Sequence, residues 1–216
     1  MSETRRSHWQ RVYREKAPTA VSWYQAIPET SLQLIRATGV LKSEPMIDVG
    51  GGASTLVDHL LAEGYEDITV LDVSAEALQR SRERLGDAIG SVHWIASDVL
   101  TFAPPHRYAI WHDRAVFHFL NDPEERDKYI DAAGTSLQPG GYLLLATFGP
   151  DGPERCSGLS IQRYSIDKQL QLFGARFTLG GSRIETHETP MGSSQQFLYS
   201  WWQLRGQQIK EKIGEG

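Results

Sequence analysis

The segment from Asp48 to Ser54 carries the most specific chemical signal in the sequence, because three successive glycines follow an apolar run that contains a carboxylate. Glycine is favoured where the backbone must approach a ligand closely without a Cβ in the way. In doubly wound folds, ligands bind at such turns, where a strand passes into a helix at the carboxyl end of the sheet. A single glycine-rich turn can also serve only to reverse the chain direction. Other residues are therefore needed to show whether this loop binds a ligand.

Two further acidic residues follow this glycine loop, each at the end of an apolar run. Asp72 lies about 20 residues beyond the loop, where a carboxylate can accept hydrogen bonds from ribose hydroxyls. Asp98, preceded by Ser97, ends the next run, where it can meet an adenine amino group. Three such features at successive strand ends predict a nucleoside-binding crevice rather than solvated surface acids.

The loop itself favours a cationic ligand over a dinucleotide. A dinucleotide fingerprint has a third glycine three residues beyond the second, where the helix packs beside the pyrophosphate. This sequence has Thr55 at that position, and Asp48 adds an anion just before the glycines. A nicotinamide oxidoreductase is therefore an alternative that these two residues disfavour.

The order of apolar runs indicates which elements position these residues. From Pro45 onward, short apolar runs alternate with amphipathic segments, a pattern that implies right-handed crossovers and a parallel sheet covered on both faces. The predicted strands are Met46–Val49, Ile68–Asp72, Val92–Ile95, Tyr108–Trp111, Tyr142–Ala146, Phe177–Glu188 and Gln196–Gln203. The predicted helices include Thr4–Lys16, Glu29–Thr38, Ala75–Leu85, one that begins at Asp122-Pro123, and Ser165–Phe173.

These elements predict an α/β protein with a doubly wound, mostly parallel sheet of seven strands, helices on both faces and an antiparallel last strand. We expect residues 1–40 to form an N-terminal helical lid. Residues 41–204 are predicted to form the ligand-binding domain, and residues 205–216 a polar C-terminal tail.

Composition excludes several classes of protein. The chain has 216 residues and a net charge of −5, with the acidic excess in its central part, so nucleic acid is not an expected partner. No apolar run is long enough to span a membrane, and the polar N-terminus leads into no apolar segment typical of a secretory signal. The single cysteine, Cys156, fits a reducing compartment, and we expect a cytoplasmic protein, either monomeric or homodimeric.

Taken in order, these motifs resemble those of the class I, seven-strand, S-adenosylmethionine-dependent methyltransferases, which have a Rossmann-like fold. Residues 48–54 match the first motif of that superfamily, Asp72 its ribose acid and Asp98 its adenine-side acid. Residues 111–120 match the fourth-strand motif, and Pro139-Gly140-Gly141 the turn before the fifth strand. The sequence is also similar to small bacterial members that have a comparable fourth motif and an aromatic N-terminal helix.

The resemblance implies S-adenosyl-L-methionine as the cofactor and S-adenosyl-L-homocysteine as the product. Methyl transfer from a sulfonium requires no metal, and we identify no zinc-ligand spacing. The residues expected to contact the cofactor are Asp48, Gly50, Gly51, Gly52, Ser54, Asp72, Val73, Ser97, Asp98, Val99, His112 and Asp113.

Two residues are candidates for a catalytic role. His118 is expected to orient the acceptor or take its proton, and Tyr13 to contact the sulfonium by cation–π attraction. The plain alternatives are a polar cap at the strand end and hydrophobic docking of the N-terminal aromatic residues.

Candidate acceptor contacts come from the lid and from the loop after the fifth strand. Arg155 and Arg163 would receive an anionic group, whereas Cys156 is either an acceptor-binding thiol or a packed small residue. The complete set of predicted acceptor contacts is Trp23, Phe148, Arg155, Cys156, Arg163 and Tyr164.

The predicted activity is transfer of a methyl group, by in-line displacement, to a small-molecule thiol, amine, carboxylate or metalloid. A protein-lysine methyltransferase is the main alternative. An NAD(P)-dependent oxidoreductase and a non-catalytic cofactor-binding module are further alternatives, and the acids at Asp48, Asp72 and Asp98 argue against the module.

Overall fold

The computed structural model describes residues 2–206, with side chains from residue 5 onward; most of the predicted tail, residues 207–216, lies outside the described residues. The helices are α1 (Ser2–Glu15), α2 (Glu29–Ala37), α3 (Leu56–Ala62), α4 (Ala75–Leu85), α5 (Pro123–Ser136) and α6 (Ile166–Phe173). The strands are β1 (Met46–Val49), β2 (Ile68–Asp72), β3 (Val92–Ala96), β4 (Tyr108–Arg114), β5 (Leu137–Phe148), β6 (Arg155–Cys156), β7 (Leu159–Ser160), β8 (Phe177–Glu188) and β9 (Ser194–Leu204).

Seven of these strands form one sheet in the order β3-β2-β1-β4-β5-β9-β8. The first five are parallel, and β9 runs antiparallel to both β5 and β8. This architecture confirms the predicted fold class, the seven strands and the antiparallel last strand. The strand order reverses beside β1, between β1 and β4, so the glycine loop lies at the switch point where such sheets bind ligands.

Helix caps follow the sequence signals. Ser74 accepts a hydrogen bond from the Ala77 amide, Asp122 accepts one from Glu124, and Ser165 accepts one from Lys168. Each cap satisfies an amide that the first helical turn leaves without a partner, and each is worth about 1 kcal/mol. These caps fix where α4, α5 and α6 begin.

The largest differences from the prediction lie in β5 and in the segment that follows it. Strand β5 extends on both sides of the predicted Tyr142–Ala146. Its pairing with β4 shifts register between Leu137 and Tyr142, and Gly140, at φ +78°, lies in that irregular stretch. The predicted loop after β5 contains the short hairpin β6–β7, whose turn places Ser157 and Gly158 at positive φ. A two-residue turn of that geometry suits a tight hairpin.

The alternation of side chains along the central strands separates the core from the site. Ile47 and Val49 of β1 pack with Trp111 of β4 in a cluster on one face of the sheet. On the opposite face, Met46 packs with Ile110, and the next positions of the same strands on that face are Asp48 and His112. Two central strands therefore place polar groups on one face, at the carboxyl end. Over residues 2–206, no helix is long and apolar enough to cross a membrane.

Candidate functional site

A deep cavity opens at the carboxyl ends of β1, β2, β3 and β4, beneath the N-terminal segment. The empty space inside it, including its open mouth, is about 1240 Å³.

The glycine loop brings the backbone against two carboxylates. A Cβ at Gly51 would collide with the Asp48 carboxylate, and one at Gly52 would collide with the carboxylate of Asp72 and with Ala77. Gly50 adopts φ +70°, a backbone conformation that residues other than glycine rarely adopt. The three glycines therefore allow the loop to lie against Asp48 and Asp72 while its surface faces the cavity.

Asp72 is the last residue of β2 and is buried. Its Oδ1 accepts a hydrogen bond from the Ser74 amide at 2.7 Å. The pKa of this carboxyl is raised to about 7, mainly by burial; the nearby Asp48 contributes to the rise, and backbone amides, that of Ser74 foremost, oppose it. A carboxylate in this state gains stability from any ligand that brings hydrogen-bond donors, as ribose hydroxyls do.

Asp48, His112 and Ser31 form a buried hydrogen-bonded chain. His112 Nδ1 lies 2.7 Å from Asp48 Oδ1, and His112 Nε2 lies 2.9 Å from the Ser31 hydroxyl. Because an ionised carboxylate only accepts hydrogen bonds, Nδ1 carries the proton toward Asp48. In the neutral imidazole of that tautomer, Nε2 accepts from the Ser31 hydroxyl, and the chain holds this hydroxyl at the cavity wall.

Asp98 is connected to the N-terminal helix. Its Oδ1 accepts a hydrogen bond from the Leu100 amide at 3.0 Å, while Arg5 of α1 lies 3.8 Å from its Oδ2 and 2.8 Å from Glu125. Within the described residues, neither Asp98 Oδ2 nor Asp48 Oδ2 has a hydrogen-bond partner, although both are buried. Two buried oxygens at the cavity thus lack donors, the pattern expected where a ligand supplies them.

Aromatic side chains form the roof of the cavity. Trp9 packs against Tyr13, Trp23 and Phe119, with ring centroids 6.3, 5.7 and 5.1 Å apart. Burial, reinforced by Asp72, raises the pKa of the Tyr13 phenol far above its ordinary value, so the phenol stays protonated. The roof therefore offers π faces and apolar surface to a ligand and shields it from water.

Arg114 lies at the end of β4, two residues beyond His112 and on the same face. Its guanidinium donates to the Tyr199 hydroxyl at 2.9 Å and to the Trp23 carbonyl at 2.8 Å. The guanidinium carbon also lies 4.5 Å from the centroid of the Phe197 ring. This part of the cavity wall is thus cationic and aromatic, in contrast to the acidic wall built by β1, β2 and β3.

Most residues predicted to bind a cofactor line the cavity, together with three of those predicted for catalysis or acceptor binding. The predicted residues found there are Tyr13, Trp23, Asp48, Gly50, Gly51, Ser54, Asp72, Val73, Ser97, Asp98, Val99, His112 and Cys156. Burial raises the pKa of the Cys156 thiol to about 12, so it is protonated at neutral pH.

The structure places the remaining predicted residues away from the cavity wall. Gly52 lies behind the loop against Asp72, as described above. Asp113 points to the opposite face of β4, where it accepts hydrogen bonds from the amides of Val116 and Phe117 and from the Tyr129 hydroxyl. Phe148 and Tyr164 are buried in apolar clusters, and Arg155 and Arg163 are exposed, donating to Gly158 and Glu154 respectively.

His118 lies inside the core. Its ring is fully buried, with centroids 4.6 Å from Phe119 and 4.7 Å from Phe148, and its Nδ1 accepts from the Phe148 amide at 3.1 Å. Burial, with a contribution from Arg114, lowers the pKa of the imidazole to about 3, so it stays neutral at physiological pH. The predicted catalytic role of His118 remains a prediction, and the geometry favours a structural role.

Polar and aromatic cavity residues that sequence reasoning did not assign to the site include Arg5, Ser31, Arg114 and Phe119. Arg114 and Phe119 lie within the recognised fourth-strand motif, and the two-residue period of β4 could have linked Arg114 with His112. Ser31 carried no such signal, because only the docking of α2 brings it to the strand. In the described part of the chain, no group of three metal-ligating side chains is close enough to hold an ion.

Comparison with known proteins agrees with this geometry. Residues 47–143 match the family described as "Methyltransferase domain". The eEF1A lysine and N-terminal methyltransferase of Mus musculus is 25% identical over 147 residues, which is 64% of this chain but 21% of that protein. Nodulation protein S of Bradyrhizobium diazoefficiens is 26% identical over 163 residues, 76% of this chain and 72% of that protein.

Similarity also extends to solved structures. The N-methyltransferase NodS from Bradyrhizobium japonicum WM9, in complex with S-adenosyl-L-homocysteine, superposes with a TM-score of 0.68. The match covers 91% of this chain and 98% of that one at 18% sequence identity. This level of identity establishes a common fold.

Proposed function

We propose that the chain transfers a methyl group to a small-molecule acceptor, because it has the fold of the class I, S-adenosylmethionine-dependent methyltransferases and its residues 47–143 match a methyltransferase-domain family. The observation that carries the proposal is the division of one cavity into two ends. Three buried acids beside the glycine loop form one end, and an aromatic wall with Arg114 forms the other.

The acidic end fits the cofactor. Asp72 would accept from the ribose hydroxyls, Asp98 from the adenine amino group, and the free Oδ2 of Asp48 from the amino group of the methionine moiety. The glycine loop lies close against these acids, because Gly51 and Gly52 have no side chains that would collide with the carboxylates of Asp48 and Asp72. When bound, S-adenosylmethionine supplies an electrophilic methyl group on a sulfonium.

The protein contributes alignment, exclusion of water and a route for a proton. The roof of Trp9, Tyr13 and Trp23 covers the cavity and keeps water from the reacting atoms. Ser31 is placed to accept a hydrogen bond from a protonated acceptor, and His112 can then take the proton at Nε2 while Asp48 stabilises the imidazolium. A general base is needed only when the nucleophile arrives protonated.

Enclosure supports a small molecule over a protein side chain as the acceptor. The second end of the cavity lies beneath α1 and the segment around Trp23. The Arg114 guanidinium at this end would repel a protonated lysine. The alternative of a protein-lysine acceptor is favoured by the similarity to the eEF1A methyltransferase. Transfer of radiolabelled methyl into a cell extract, separated by size, decides between them, because label in the small-molecule fraction supports the proposal and label only in protein overturns it.

Calorimetry tests the cofactor assignment without knowledge of the acceptor. We expect S-adenosyl-L-homocysteine to bind saturably and NAD and NADP to give no heat of binding, because Thr55 and Asp48 disfavour a diphosphate. Saturable binding of NAD without a response to S-adenosyl-L-homocysteine would exclude the assignment.

A further inference from the structure

Arg114 differs from the other arginines near the cavity in having no carboxylate partner. Arg5 pairs with Glu125 at 2.8 Å, and Arg84 pairs with Asp58 at 2.7 Å. Among the residues that the structure describes, no carboxylate oxygen lies within 4.0 Å of the Arg114 guanidinium, whose hydrogen-bond partners are the neutral Tyr199 hydroxyl and Trp23 carbonyl. Its second terminal nitrogen is buried and has no partner in that part of the chain.

This arrangement leaves a positive charge uncompensated at the cavity wall. An arginine cannot lose its proton in a protein, so burial cannot neutralise it as it would a lysine. A partly buried charge without a counterion is unfavourable, and the same group gains most when an anion arrives in a place with little water. An anionic ligand would supply the counterion that the Arg114 guanidinium lacks.

The neighbouring groups make Arg114 effective for this purpose. The contacts with Tyr199 and Trp23 hold two sides of the guanidinium, and the Phe197 ring lies 4.5 Å from its carbon. A guanidinium held in one orientation loses little side-chain freedom on binding, so more of the interaction energy appears as affinity. The aromatic rings of Trp23 and Phe119, which also line the cavity, offer apolar surface for the body of the ligand.

We propose that the methyl acceptor is a carboxylate-bearing molecule with an aromatic or apolar body, and that Arg114 binds its carboxylate. This inference rests on the proposed function, since it assigns the second end of the cavity to the acceptor. The carboxylate is an anchoring group here, and the methyl group can be transferred to another atom of the acceptor.

A matched pair of probes tests the charge requirement, namely benzoate and benzamide, which share size and shape and differ in charge. Each is titrated into protein saturated with S-adenosyl-L-homocysteine, and binding is followed by ligand-observed NMR. We expect benzoate to bind at least about tenfold more tightly than benzamide, as is typical of a charge-assisted contact to arginine. The preference should decrease as salt is raised, although less than for an exposed pair.

Two substitutions test whether Arg114 is the residue that causes the preference for benzoate over benzamide. Arg114→Gln should remove it, whereas Arg107→Gln should leave it intact, because Arg107 is exposed and lies just before the opposite end of the same strand. Arg114→Lys retains the charge and should keep part of the preference, which provides a second reading if Arg114→Gln folds poorly.

The outcomes separate this inference from the proposed function. If S-adenosyl-L-homocysteine binds but benzoate binds no better than benzamide, or not at all, the acceptor proposal is overturned and the cofactor assignment stands. A preference that persists in Arg114→Gln overturns the role of Arg114. If S-adenosyl-L-homocysteine does not bind, the proposed function fails first.

Discussion

The two ends of the cavity are built in different ways from the same sheet. The acidic end uses the termini of β1, β2 and β3 with one glycine loop, so its groups come from consecutive strand–helix units. The end around Arg114 combines β4 with the Tyr199 hydroxyl of β9 and the Trp23 carbonyl of the N-terminal segment, which lie 85 and 91 residues away in sequence. One end is thus assembled by local order along the chain, and the other by long-range packing.

This difference implies that the two ends of the cavity can change independently of each other. A cofactor end made from consecutive units can be retained while the chain elsewhere changes, whereas an end made from distant segments changes whenever any of them does. We therefore expect substitutions at the acidic end to alter cofactor affinity, and substitutions around Arg114 to leave that affinity intact.

The largest effect is expected at the glycine loop, with Gly52→Val. Its side chain would collide with the Asp72 carboxylate and Ala77, so we expect affinity for S-adenosyl-L-homocysteine to fall by at least about 100-fold, equivalent to about 2.7 kcal/mol. Calorimetry measures the loss. Gly90→Ala is the control, because a Cβ there would meet no atom within 4 Å. Unchanged affinity in a folded Gly52→Val variant would mean that the close contact between the loop and Asp72 does not shape the cofactor site.

The next effect concerns Asp72, the proposed ribose-binding acid, and is tested with Asp72→Asn. The amide oxygen can still accept from Ser74, but the negative charge offered to the ligand is lost. We expect a loss of about 1.5–3 kcal/mol in binding of S-adenosyl-L-homocysteine, the range for hydrogen bonds to a charged group. Asp87→Asn, at an exposed residue, is the matched control. An equal response in the two variants would remove Asp72 from the site.

Cofactor affinity should also depend on pH through Asp72, whose pKa burial raises to about 7. Ligand hydroxyls stabilise the ionised form, so binding must release a proton below that pH. Affinity should therefore weaken as pH falls below about 7, approaching tenfold per pH unit. Titrations between about pH 6 and about pH 8 check the slope, which Asp72→Asn should flatten.

The Asp72 carboxyl gives the stability of the free protein the opposite pH dependence: it favours cofactor binding at higher pH and folding at lower pH. Its folded-state pKa lies above the ordinary value of 3.8, so its contribution to the free energy of unfolding is fully present below pH 3.8 and is lost as pH rises through about 7. Asp72→Asn should therefore not lower the melting temperature of the free protein at neutral pH. Lower melting together with weaker binding would indicate damage to the fold instead.

The acidic end could be read from the sequence because its signals are local. Asp48, Asp72 and Asp98 each follow an apolar run, and the alternation of strands and helices determines that these runs end at one edge. The bounds of β1, β2 and α4 were predicted to the residue for the same reason. The family match over residues 47–143 covers this same part of the chain.

The other end could not be read in this way, because its chemistry arises from tertiary contacts. Ser31 becomes a partner of His112 only when α2 packs over the sheet. The sequence assigned anion binding to Arg155 and Arg163, yet both are exposed, and Arg163 pairs with Glu154. Arg114 looked like an ordinary polar strand end, since nothing in its sequence neighbourhood shows that its partners are neutral.

A smaller effect, on stability, is expected for Ser31→Ala, which tests the link between the two ends. The substitution leaves the buried Nε2 of His112 without its partner, which should lower the free energy of unfolding by about 1–3 kcal/mol. Urea denaturation measures the change, and Ser160→Ala, at an exposed residue, is the control. Because Asp48 keeps its place, affinity for S-adenosyl-L-homocysteine should be nearly unchanged. A large loss of affinity would show that the hydrogen-bonded chain belongs to the cofactor end.

The smallest effect on function is expected for His118→Asn, although this histidine was the leading catalytic candidate in the sequence. Asparagine can still accept a hydrogen bond from the Phe148 amide, and the pKa of His118, lowered to about 3, means that no proton is lost or gained near neutral pH. We expect unchanged affinity for S-adenosyl-L-homocysteine and an unchanged pH profile of methyl transfer into extract, with some loss of stability from the void left in the core. Loss of transfer in a folded, cofactor-binding variant would return His118 to the reacting groups, and would place chemistry behind the cavity wall instead of on it.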